Sequence, residues 1–174
     1  MRVPFLGLMT AGLVAAQLVA APVAMAQCVR PADHASLDIT ALKTSLMVTA
    51  LTCSANERYD AFIIKYRPEL AAQDRALGSY FTRAHGRTAR KQQDDYVTQL
   101  ANSRSQAGTR QGSLFCAQSL PMFDEVMALR NGAELADFAA AKAVAQPINV
   151  TACGAAPAPA APRSTTASRA RSRS

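Results

Sequence analysis

"LDITALKTSLMVTALTC", residues 37–53, decides the fold class of this chain. Ile39, Leu42, Leu46, Ala50 and Cys53 recur at steps of three and four, which draws one apolar stripe along an α-helix and does not match the alternation of a strand. Cys53 lies on that stripe and is expected to face a core. Helical periodicity continues on both sides of this segment, and the reading that follows is an all-α fold.

Downstream, "SANE" (54–57) sets Ser54 three residues before Glu57, a capping box that predicts the start of a second helix with almost no loop. Tyr59, Phe62, Ile63 and Tyr66 are its buried face, and Pro68, which has no amide donor, must kink or end it. "PELAAQDRALGSYFTRAHG" (68–86) continues with Leu70, Leu77, Tyr80 and Phe81 and stops at Gly86. "TARKQQDDYVTQLANSRSQAG" (88–108) reads as a polar surface helix with a narrow stripe of Tyr96, Val97, Leu100 and Ala107. A fifth helix is expected from Leu114 to Arg130, kinked at Pro121, with Cys116, Leu120, Phe123 and Met127 on one face and Asn131-Gly132 as its stop. "AELADFAAAKAVA" (133–145) gives a short helix closed by Pro147, followed by the extended apolar "INVTAC" (148–153). The expected domain, residues 27–153, is a small bundle of five or six short helices, long enough for one core.

The two ends of the chain have different compositions. Residues 1–26 carry a single charge, Arg2, then a long apolar run ending in Ala24-Met25-Ala26. That is the pattern of a secretory signal peptide cleaved before Gln27. Gln27 separates the small residues from Cys28, which argues against lipidation of that cysteine. At the other end, residues 154–174 join an Ala/Pro spacer to "RSTTASRARSRS", and neither part holds enough apolar surface to offset the entropy of ordering. A disordered tail is expected, with Arg163, Arg169, Arg171 and Arg173 able to attach weakly to an anionic envelope polymer. Four arginines without an aromatic residue give attraction without base specificity.

The formal charge of +7 is therefore mostly terminal. Of 19 Lys and Arg, Arg2 belongs to the leader and four to the tail, leaving 14 against 12 acids, a net +2 for the middle. That excludes a broad basic domain built for nucleic acid.

Export implies an oxidising compartment, where four cysteines without a CxxC spacing read as two disulfides rather than a metal or thiol site. Cys53 and Cys116 share the core-facing stripes of two long helices and are paired on that ground. Cys28 and Cys153 flank the helical region and form the outer pair.

No catalytic motif is present. His34 and His85 are isolated, no metal-ligand spacing occurs, and no cofactor is implied. Asp94-Asp95 and Asp124-Glu125 are sequence neighbours that point apart on a helix, so neither pair shares a proton. Arg58, Tyr59, Lys65, Tyr66 and Arg67 form the densest mixture of aromatic and basic residues and are the candidate recognition face. Three functional readings stay open for a periplasmic or secreted protein with no transmembrane segment after processing. The first is a non-enzymatic interaction protein that binds another envelope component. The second is a carrier of a small apolar ligand or lipid, which a large internal cavity would favour. The third is a small enzyme whose acids or tyrosines converge only in the fold.

Overall fold

The computed structural model describes residues 29–148, together with Val150 and Cys153. The expected signal peptide, Cys28 and the tail from residue 154 lie outside the described residues. Among those described, seven α-helices run in order: α1 (Pro31–Cys53), α2 (Asn56–Lys65), α3 (Arg67–His85), α4 (Ala89–Gln111), α5 (Leu114–Ser119), α6 (Pro121–Ala128) and α7 (Glu134–Lys142), with one 3-10 turn at Gly86–Thr88. A single residue separates α2 from α3 and α5 from α6, so the chain folds as five rods. The all-α reading holds, but two of the helices, α1 and α4, are 23 residues long rather than short.

α1 is the centre of the molecule. Its expected single stripe is corrected: α2, α3, α4, α5 and α7 all pack on it, and residues around its whole circumference are buried. Ile39, Leu42, Leu46 and Ala50 face one core with Phe62 and Tyr66 of α2 and its junction, Phe123 and Val126 of α6, and Leu135 and Ala139 of α7. Leu37 and Ala41 face a second core with Leu77 and Phe81 of α3 and Tyr96 and Leu100 of α4. Between these apolar positions stand Ser36, Thr40, Thr44, Ser45 and Thr49, all buried. Small side chains let neighbouring helices approach, and their hydroxyls need not find distant partners. Ser36 Oγ donates to the Asp33 carbonyl at 2.8 Å and Thr40 Oγ1 to the Ser36 carbonyl at 2.7 Å, the local back-bonding open to Ser and Thr in helices.

The junctions depart from expectation in ways the backbone explains. No capping box forms at residues 54–57. Ser54 adopts a left-handed conformation (φ 56°) as the C-cap of α1, and α2 starts from Ala55 without a side-chain cap. A residue closing one helix in that conformation does not present its hydroxyl as the N-cap of the next. Pro68 does end the second helix, by opening α3 within its first turn, where a missing amide costs nothing. Pro121 lies in the first turn of α6, and Leu120 before it keeps helical angles (φ −61°, ψ −35°) and donates to the Cys116 carbonyl, so α5 and α6 are one helix interrupted at the proline. The inward face there is Phe115, Ser119, Phe123 and Val126, while Cys116, Leu120 and Met127 are only partly buried.

The disulfide between Cys53 and Cys116 is present, with Cα atoms 5.6 Å apart. It ties the end of α1 to α5 from half-buried positions, not from the centre of the core. Two disulfides were expected, and one is shown among the described residues. The proposed Cys28–Cys153 pair involves a residue outside those described, but the Cys153 amide donates to the Val29 carbonyl at 2.9 Å, which brings the two flanks of the helical region together.

Candidate functional site

The residues expected to recognise a partner do not share one exposed face: Tyr66 is buried, Arg58 and Tyr59 are half-buried, and Lys65 and Arg67 are exposed. Tyr66 is buried, and its hydroxyl donates to the Val126 carbonyl at 2.6 Å. Lys65 Nζ donates to the carbonyls of Met127 and Leu129 at 2.7 and 2.9 Å, satisfying groups left open at the end of α6. Arg58 pairs with Asp124 and stacks over Phe123 at 5.2 Å. Tyr59 packs half-buried against the core and Arg67 is exposed. Together Arg58, Lys65 and Tyr66 fasten α2 to α6.

Two further polar constellations depend on α4. The first lies beside the N-terminal half of α1. Asp38 receives His34 Nδ1 at 2.8 Å on one oxygen and Gln146 Nε2 at 3.1 Å on the other. The Tyr96 hydroxyl lies 2.7 Å from Gln146 Oε1 and 3.1 Å from the Leu37 carbonyl, so its one proton is divided between two acceptors. Burial, with a further contribution from Asp38, pushes the Tyr96 phenol well above its ordinary range. It is held as a neutral donor and does not serve as a base near neutral pH. The network latches the segment after α7 to α1 and α4.

The second constellation is a groove of about 480 Å³ bounded by α4 and by that latched segment. Arg104, Arg110 and Lys142 line it with the hydroxyls of Ser45 and Ser103, while Leu100, Ala107, Met122 and Val144 supply apolar wall. No carboxylate is among its lining residues. Lys142 pairs with Glu125 just outside. Arg104 and Arg110 enter no ion pair among the described residues.

Arg104 is positioned with care. Its guanidinium lies 4.6 Å over the Phe115 ring, and Nη2 donates to Ser119 Oγ at 2.6 Å and Thr49 Oγ1 at 3.3 Å. The same Phe115 ring rests against Gly108, where an added Cβ would meet it at 3.4 Å, so α5 approaches α4 closely one turn beyond Arg104. Burial lowers the pKa of Arg104, but a guanidinium starts so high that it stays charged. Its Nε is buried and without a hydrogen-bond partner. A half-buried cation with neutral partners and an unused donor is electrostatically incomplete, because removal from water is offset only when charge and hydrogen bonds are returned.

Sequence reading missed this site because "NSRSQAG" (102–108) looked like solvated polar helix. A signal was present: Arg104 falls four residues after Leu100 and three before Ala107, on the stripe assigned to the core. His85, the other isolated histidine, stacks on Phe81 with ring centroids 5.7 Å apart. Among the described residues no three His, Cys, Asp or Glu side chains gather as a metal site, and no helix is long and apolar enough to cross a membrane. No protein-family model matches the chain, and no curated protein or solved structure is significantly similar to it.

Proposed function

We propose that this chain is an exported, non-enzymatic binding protein that engages an anionic component of the cell envelope through the groove on α4. The single observation that carries the reading is the Arg104 guanidinium, half-buried and paired with no carboxylate, in a groove that Arg110, hydroxyls and apolar side chains also line. Asp33, Tyr66 and Tyr96 are paired with other parts of the fold, and Glu69 Oε2, away from the groove, is the other buried side-chain atom without a partner among the described residues. The groove is where half-buried positive charge is left without a carboxylate.

The Cys53–Cys116 disulfide is compatible with an oxidising compartment. Export and the second disulfide belong to the same proposal. The experiment is affinity capture from an envelope extract with the wild-type protein and with an Arg104→Gln/Arg110→Glu variant. Capture that disappears in the variant supports the reading. Capture that is indifferent to both substitutions contradicts it.

A further inference from the structure

We infer that the α4 groove binds a small anionic amphiphile, with an oxyanion head against Arg104 and Arg110 and an apolar body along Leu100, Ala107, Met122 and Val144. This rests on the groove being the binding site and names what fills it.

The head follows from charge. A guanidinium presents its donors in a planar fork that suits carboxylate and phosphate oxygens, and here the fold engages Nη2 through the neutral hydroxyls of Ser119 and Thr49 while no carboxylate lines the groove to balance the charge. Lys142 is already balanced by Glu125 and held 5.1 Å over the Phe138 ring, so the unbalanced charge is that of Arg104 and Arg110. Ser103, one residue before Arg104, and Ser45, on the buried α1, add hydroxyls to the same lining.

The body follows from the walls. A simple inorganic anion needs donors alone, yet Leu100, Ala107, Met122 and Val144 line the same groove. At about 480 Å³ it lies in the range of pockets that hold small organic ligands. Methionine adapts to irregular apolar shapes, which suits Met122 to a flexible chain. Val144 packs against the second core and belongs to the segment that Gln146 latches to Asp38 and Tyr96, so one wall is held by two hydrogen bonds as well as by packing.

The test is isothermal titration of the protein with dodecyl phosphate and with dodecanoate, each below its micellar concentration. Inorganic phosphate and dodecyl maltoside serve as the head alone and as a neutral-headed body. One site is expected, with either anionic amphiphile binding at least tenfold more tightly than both controls. The better of the two heads distinguishes a phosphate ester from a fatty acid. Arg110 is exposed, so Arg110→Glu should leave the fold intact by circular dichroism and weaken binding several-fold. Arg104→Gln should weaken it about tenfold or more, in line with loss of a charge-assisted hydrogen bond. Replacing Arg163, Arg169, Arg171 and Arg173 together by Gln should change little.

Equal binding of inorganic phosphate would remove the apolar body, and equal binding of the maltoside would remove the head. Binding insensitive to Arg110→Glu, or lost with the tail arginines, would place the ligand elsewhere. Each of these overturns the inference. If no amphiphile binds while envelope capture still depends on Arg104 and Arg110, only the ligand class fails. If capture also ignores them, the binding reading fails with it.

Discussion

Asp33 offers the sharpest test of how the bundle is tied. It stands in the first turn of α1 with its side chain 9% exposed, receiving Arg30 Nε at 2.8 Å and Arg83 Nη2 from α3 at 2.6 Å. The Arg30 guanidinium, joined by Arg83, holds its carboxyl below the ordinary carboxylate range against the opposing effect of burial. Asp33→Asn keeps the shape and removes the charge. The lost charge-assisted bond to Arg83 contributes about 1.5–3 kcal/mol, and the carboxylate at a helix N-terminus about 0.3–1 kcal/mol. Arg83 is 44% exposed and regains water when released, which discounts the first figure. A loss of about 2 kcal/mol at pH 7 is therefore expected.

The pH dependence has a definite sign. Because the native pKa is depressed, the unfolded chain takes up the proton first as pH falls. The stability due to Asp33 is present above the unfolded value of about 3.9 and is lost as pH falls through the native value. Urea unfolding of wild type and Asp33→Asn from pH 7 downward reads this directly, and the difference between them cancels the titration of other carboxylates. The gap should close below about pH 4. A gap that persists unchanged into acid, or none at pH 7, would refute the ion-pair reasoning.

Other perturbations probe other joints. Replacing Cys53 and Cys116 by Ala opens a loop spanning a separation of 63 residues, and chemical denaturation should show a loss of roughly 4 kcal/mol by loop entropy. Unreduced peptide mapping should also find the proposed Cys28–Cys153 link; Cys28 joined to Cys53 would contradict both pairs. Tyr66→Phe removes the shorter of two hydrogen bonds to the Val126 carbonyl, which keeps the Leu129 amide at 3.4 Å, and should cost about 1 kcal/mol in the same assay. Gln146→Ala should speed hydrogen exchange at Val144 and neighbouring amides while leaving the centre of α1 protected. For the tail, a chain ending at Ala161 should fold as the full protein does and lose salt-sensitive co-sedimentation with anionic vesicles.

Much of the helical order was legible from periodicity, because Leu70, Leu77 and Phe81 of α3, or Tyr96 and Leu100 of α4, are apolar positions on otherwise polar helices. α1 was misread for the opposite reason. Its buried Ser36, Thr40, Thr44, Ser45 and Thr49 count as polar in any stripe, although Lys43 is its only charged residue between Asp38 and Cys53. Ser and Thr satisfy themselves within a helix, so a run of them with small apolar residues can be wrapped on every side. On α2, nothing local says that Lys65 will reach the carbonyls of Met127 and Leu129, more than 60 positions away. The groove was hidden likewise: Arg104 becomes unusual only when Thr49, Phe115 and Ser119 surround it.

The groove is tested most directly by residue-resolved amide shifts of the full protein titrated with dodecyl phosphate. The largest changes are predicted at Ser103–Arg110 of α4 and at Ala143 and Val144 beyond α7. Changes centred on α2, Asn56–Lys65, or confined to the arginines from Arg163 onward would contradict the assignment of this site.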